Sequence, residues 1–208
     1  MNDLGHNRKS NRTAYLLAAL FLLIAIPLLY GCGSEEPEEV PEETSVQEET
    51  TAAAAADGEH LLDFSAKEFS GERFTEEDLA DKDLTIINVW ATDEWDSVNE
   101  LWELAAIEEQ LMDNVRLATY CADGNDKTDR AEDLLAQAGF NGTALYKAKK
   151  DLKAVVDQVE EYPTAFFFDS EGNQVSKPLK GVPDDPGQTY REKVNECLGE
   201  MGKGMIGP

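Results

Sequence analysis

From Leu84 to Trp90 the chain reads Leu-Thr-Ile-Ile-Asn-Val-Trp, a nearly continuous apolar and β-branched run. Such a run suits a strand covered on both faces near the centre of a sheet. Val115–Cys121 and Ala165–Asp169 repeat the pattern and predict two further core strands. Between the first two, apolar residues recur every three or four positions from Asp96 to about Met112, at Val98, Leu101, Leu104, Ala105 and Leu111. That spacing predicts an amphipathic helix, with Asp96 as its N-cap and Trp102 on its buried stripe. Trp95 precedes the stripe and is expected at the surface. Weaker helical patterns cover Asp129–Ala138, ended near Gly139, then Ala148 to about Val156, and Pro186 or Gly187 to about Leu198. Strand-like residues on either side of Ser70-Gly71 predict a hairpin over Phe64–Phe74, after which Thr75 caps a short helix with an acidic first turn. A turn at Ser170–Asn173 is expected to return a strand over Gln174–Lys177. Strand, helix, strand and helix, followed by a hairpin and a last helix, define an α/β domain with a mixed sheet.

Charge narrows the function. The 208 residues carry 43 acidic and 18 basic side chains, a net charge of -25. A phosphate backbone needs a basic footprint, so nucleic-acid binding is excluded. Histidine occurs only at His6 and His60. Metal sites built on histidine and triads that need one have no residues to use, and neither a metal nor a cofactor is expected. Asp123–Asp129 suggests a calcium loop only faintly: Lys127 takes a ligand position and the glycine is misplaced, so a turn is expected.

The first 31 residues read as a targeting segment. Arg8, Lys9 and Arg12 precede an apolar run from Ala14 to Tyr30 that ends in Leu29-Tyr30-Gly31-Cys32. This ending resembles the lipobox of bacterial lipoproteins. The resemblance implies that Cys32 becomes the N-terminus and carries acyl chains, enough for stable anchoring. The alternative is a retained membrane-spanning helix, for which 17 positions is short against the usual ~20. Residues 32–60 then form an acidic tether. Eight glutamates fall between Glu35 and Glu49 without one basic residue, a composition expected to stay disordered and to hold the domain off an anionic surface. The folded domain is placed at residues 61–202 and a disordered tail at 203–208.

Within that domain, Trp90-Ala91-Thr92 followed by Glu100-Leu101, Tyr162-Pro163-Thr164 and Asp169-Ser170-Glu171-Gly172 together resemble TlpA/ResA-like thioredoxin-fold proteins, over roughly Asp63 to Leu198. The resemblance implies a thioredoxin-like fold, a mixed central sheet flanked by helices, with Pro163 in the cis form. It also implies two cysteines at the start of the long helix, and here the chain departs. Asp93-Glu94-Trp95-Asp96-Ser97 puts Glu94 at the first cysteine position and Ser97 at the second. Family chemistry begins with a thiolate whose pKa is lowered at the helix N-terminus. A carboxylate cannot take that part, and a serine has no histidine to activate it.

Two thiols remain in the domain, Cys121 at the end of a core strand and Cys197 on the last helix. Three states stay open for them: a structural disulfide, buried free thiols, or a relocated redox site. Two functions follow. In one, the domain binds an extracytoplasmic protein partner or a ligand with Trp95, Tyr162, Pro163 and Thr164, on a bacterial cell envelope to which Cys32 anchors it. In the other, it is a thiol-disulfide oxidoreductase that uses Cys121, Cys197 or both.

Overall fold

The computed structural model describes residues 58–205. The targeting segment, Cys32 and most of the acidic tether lie outside the described residues. The elements run β1 (Phe64–Glu68), β2 (Arg73–Thr75), α1 (Glu76–Ala80), β3 (Leu84–Trp90), α2 (Trp95–Glu108) and β4 (Val115–Cys121). They continue as α3 (Thr128–Ala138), β5 (Thr143–Lys149), α4 (Lys150–Asp157), β6 (Thr164–Asp169), β7 (Leu179–Lys180) and α5 (Pro186–Glu200). The strands form one mixed sheet in the order β2-β1-β5-β4-β3-β6-β7. β3 is parallel to β4 and antiparallel to β6, and all seven of its residues are buried.

Alternation along the strands sorts the core into two layers. Leu84, Ile86 and Trp90 of β3 and Phe167 of β6 point to the face covered by α2 and α5, where Leu101, Leu104, Val194 and Leu198 meet them. Ile87, Val89, Phe166 and Phe168 point to the other face, packed by Leu152 and Val155 of α4, Phe64 of β1 and Leu79 of α1. Burial of these side chains at ~25 cal/mol per Å² of apolar surface is the main favourable term. Helix ends follow local chemistry. The Thr75 N–H donates to Asp78 Oδ2 at 2.7 Å at the start of α1, and Gly139 closes α3 in the left-handed region at φ 72°.

Several sequence expectations shift. β5 was not anticipated, and the helix placed at Ala148–Val156 starts two residues later, at Lys150. A bulge explains the omission: β1 skips register against β5 between Ser65 and Lys67, and Lys147 sits at φ 53°. The extra residue breaks the alternation that would mark a strand. The strand expected at Gln174–Lys177 reduces to one bridge between Phe168 and Gln174, and the pairing resumes at β7. α2 begins at Trp95 with Glu94 as its N-cap, so Asp96 is a first-turn residue, and it ends at Glu108 instead of Met112. Trp102 is not core: it is 43% exposed, because Ser97, Glu100, Leu101 and Leu104 hold the inward stripe. Cys121 and Cys197 are both buried and free, which removes the disulfide.

The hairpin turn after β6 closes against the start of the domain. Asp169 Oδ1 accepts from the N–H groups of Glu171 and Asn173 at 2.9 Å each, and Leu61 N–H donates to the Gly172 carbonyl at 2.9 Å. Gly172 has φ 83°, and a Cβ there would sit 2.3 Å from the Leu61 carbonyl oxygen. Gly172→Ala should therefore combine backbone strain with a backbone clash and lower stability by ~2 kcal/mol or more. Gly71→Ala, at φ 94° with open space around it, should carry the strain alone, about 1 kcal/mol. Chemical denaturation of the two variants checks the difference.

Candidate functional site

β3 runs out at Trp90, and the chain turns through Ala91, Thr92 and Asp93 into α2. This turn is held from three sides. The Asp123 carboxylate, just beyond β4, accepts from Thr92 N–H at 3.0 Å and from the Thr92 hydroxyl at 2.8 Å. Lys127 bridges Asp123, at 2.9 Å, and Asp93. Arg130 donates to the Thr92 carbonyl at 3.1 Å. Burial would raise the Asp123 pKa, but hydrogen bonds from the Thr92 N–H, Lys127, the Thr92 hydroxyl and the Cys121 thiol outweigh it and hold the carboxyl at about 2.

Glu94 and Ser97, where the resemblance placed two cysteines, have opposite surroundings. Glu94 is exposed at the helix N-cap. Ser97 is fully buried, its hydroxyl within 3.1 Å of the Ala91 carbonyl and 2.9 Å of the Glu94 carbonyl, and it accepts from Ala91 N–H at 3.3 Å. The hydroxyl thus ties the helix start to the turn, and its hydrogen-bond partners among the described residues are all backbone groups.

The Pro163 loop comes up next to this turn because β6 pairs with β3, with Thr164 opposite Val89. The Tyr162–Pro163 bond is cis, as the resemblance implied. Burial, followed by the Asp123 and Glu94 carboxylates, raises the Tyr162 phenol, which places that side chain in the field of the helix start. Thr164 is buried and its hydroxyl donates to the Glu161 carbonyl at 2.7 Å. Trp95, by contrast, is 74% exposed. Of the four expected binding residues, Trp95 and Tyr162 present side-chain surface, whereas Pro163 and Thr164 shape the loop from within.

Cys121 is Cα-paired with Trp90, directly behind the turn, and its thiol lies 3.3 Å from Asp123 Oδ1. Burial, then that carboxylate, pushes its pKa far above the ordinary thiol value. Cys197 is pushed up to about 11, mainly by burial. Neither thiol is ionised at neutral pH.

A buried polar cluster under α2 was missed in the sequence reading. Asn88 Nδ2 donates to Glu100 Oε2 at 2.8 Å and to the Tyr190 hydroxyl at 2.9 Å, while Tyr190 donates to Glu100 Oε1 at 3.4 Å. All three residues are 1% exposed, and Asn88 Oδ1 has no partner among the described residues. The signal was present: Asn88 interrupts an apolar strand, and Glu100 stands on the inward stripe of α2. Burial raises the Glu100 pKa to about 7 against the pull of the bonds from Asn88 and Tyr190.

No protein-family model matches the sequence, and no curated protein matches it. Solved structures do. A thiol:disulfide interchange protein of the thioredoxin family from Chlorobium tepidum TLS superposes with a TM-score of 0.56 at 17% identity, covering 70% of this chain and 99% of that one. The thioredoxin domain of a thiol-disulfide oxidoreductase from Bacteroides vulgatus gives 0.54 at 17%, over 67% and 99%. A thiol:disulfide interchange protein from a Bacteroides species gives 0.54 at 19%, over 67% and 91%. The domain therefore has a thioredoxin-like fold.

The raised Glu100 pKa links stability to pH. The unfolded chain releases this proton near the ordinary ~4.3, whereas the folded chain keeps it until about 7. The folded state binds the extra proton in between, so its stability falls as pH rises through that window and is level above it. The loss is on the order of 3 kcal/mol. Glu100→Gln should flatten the Tm-against-pH curve between pH 5 and 7, relative to wild type, in thermal denaturation.

Proposed function

We propose that this chain is a membrane-anchored, extracytoplasmic thioredoxin-like domain that binds a protein or ligand at the start of α2 and the Pro163 loop, without dithiol chemistry there. The observation that carries this reading is the pair Glu94 and Ser97: an exposed carboxylate and a buried hydroxyl bonded to backbone stand where the fold would hold thiols. Disulfide exchange begins with a thiolate attacking sulfur and ends with a second thiol resolving the mixed disulfide. The solved structures of the same fold bear names that describe such exchange, and in this chain neither step has a sulfur atom at the helix start.

The carboxylates suit the place for another reason. The first turn of a helix presents unpaired N–H groups and a partial positive charge, and Glu94 and Asp96 lie against it. Each such charge contributes about 0.3–1 kcal/mol at a surface. The helix start thus carries two carboxyl side chains, within electrostatic reach of the Tyr162 phenol and next to the exposed Trp95. This is a recognition surface with acidic and aromatic side chains together.

Anchoring rests on Leu29-Tyr30-Gly31-Cys32 behind a basic and apolar leader, with the acidic stretch as spacer. Among the described residues, no helix is long and apolar enough to cross a membrane. Replacing Cys32 with Ala should leave the chain unlipidated when cells are fed labelled palmitate. Labelling that persists would remove the anchor from this reading.

Oxidoreductase activity through Cys121 or Cys197 is the competing reading, and their burial and raised pKa values oppose it. The mature chain should reduce insulin disulfides at the background rate. The double change Glu94→Cys and Ser97→Cys should restore turnover, because it returns a thiol to the end of the helix where its pKa falls. Wild-type turnover that disappears in Cys121→Ser would place the chemistry on Cys121 and overturn the reading.

A further inference from the structure

We propose that the outer face of α2 docks a cationic, amphipathic peptide segment of a partner protein, with Trp95 and Trp102 as its anchors. This rests on the binding-module reading above and names the partner's chemistry. Trp95 and Trp102 are one heptad apart, so they lie about 20° apart around the helix and about 10 Å apart along it. Their exposures of 74% and 43% make them the two tryptophans that the core leaves uncovered. Exposed Asn99 between them and exposed Ala106 beyond complete one outward row. A buried tryptophan covers 150–250 Å², and tryptophans are over-represented among residues that dominate interfaces. The row thus presents two indole rings at the surface, with one polar side chain, Asn99, between them.

Charge identifies the occupant. α2 contains no Lys or Arg over Trp95–Glu108. Exposed Glu94, Asp96 and Glu103 border the row, and none has an ion-pair partner among the described residues. Asp93 differs: Lys127 and Arg130 already neutralise it. Three unneutralised carboxylates around two indole rings attract a segment that carries Lys or Arg beside apolar side chains. The cations pair with the carboxylates and lie over the ring faces, while the apolar side chains cover the row. An anionic lipid surface would meet these charges with repulsion, and so would a second copy of this chain at a net charge of -25.

The test uses the full chain in nanodiscs of zwitterionic lipid and a fluorescein-labelled amphipathic peptide of leucine and lysine, read by anisotropy against empty nanodiscs. The wild type should bind the peptide, more weakly as ionic strength rises. Trp95→Ala, Trp102→Ala and Glu103→Lys should each weaken binding by about tenfold, the scale of an interface anchor. Glu132→Lys on α3, an exposed site with the same charge change, should leave binding within about twofold, as expected of a charge outside the contact. All four positions are exposed, and circular dichroism checks that each variant is folded; Trp95→Phe and Glu103→Gln replace any variant that is not. No binding, an equal loss in Glu132→Lys, or equal binding of a leucine–glutamate peptide would overturn the proposal. The reductase assay on the same protein separates the two levels. Turnover that depends on Cys121 defeats the binding-module reading, whereas background turnover with no peptide binding defeats only this docking face.

Discussion

Complete burial of β3 is the constraint on which the rest of the domain depends. Its seven residues are covered on both faces and paired on both edges, to β4 and β6. A strand in that position cannot slip, since a one-residue shift would turn every side chain to the opposite layer. The end of β3 at Trp90 therefore fixes where the chain emerges and where α2 starts. Pairing of β3 with β6 fixes the Pro163 loop beside it, and pairing with β4 fixes Asp123, whose carboxylate holds Thr92. The residues that meet at the helix start come from distant parts of the chain. They are brought together by register in the core.

The same register explains how the scaffold accommodates Glu94 and Ser97 at the helix start. A pair of thiols at the helix start interacts with the helix N-terminus mainly through partial charge, and carboxylates satisfy the same field. Ser97 is close in size to a cysteine, and its hydroxyl bonds to backbone groups on both sides of the turn. The geometry of strand, turn, helix and cis-proline loop is kept, while Glu94 and Ser97 put no sulfur at the helix start. Fold and reaction separate here at two positions, which is why likeness to thiol-disulfide enzymes establishes architecture and leaves chemistry to the side chains.

The strongest sequence patterns read true because burial enforces them. β3 and β4 appear with the boundaries that their apolar runs suggest, and the Phe64–Phe74 hairpin appears as expected. Patterns failed where two periodicities compete. Two lysines and a bulge conceal β5, and the helical spacing that follows was read back into it. Trp102 lies four residues after Val98 and fits a helical stripe on paper. On the helix the inward arc is narrower and is shared by Ser97 and Glu100, two polar residues that a hydrophobicity count leaves out. The state of the cysteines was not legible at all, because separation between residues on β4 and α5 is a tertiary quantity. For the site, Glu94, Ser97 and Pro163 were found through ordered motifs, whereas Asp123 and the Asn88–Glu100–Tyr190 cluster required the sheet register that brings them together.

The cluster beneath α2 is a polar group of residues in an otherwise apolar layer. A carboxyl group buried with two neutral donors and no cation is destabilising once ionised, and Asn88 leaves its carbonyl oxygen without a partner. A well-packed apolar trio at the same positions would hold β3, α2 and α5 together without these penalties. The polar residues instead set one relative placement of the three elements, because both donors of the cluster must find the same carboxylate. They lie directly below the helix that carries Trp95 and Trp102. Rigid placement of that helix limits the entropy lost when a partner settles on its outer face, and binding surfaces gain affinity by such preorganisation. On the docking proposal, the unfavourable groups in the core would serve the exposed tryptophans at the surface, by holding their helix in a fixed pose at some expense of stability.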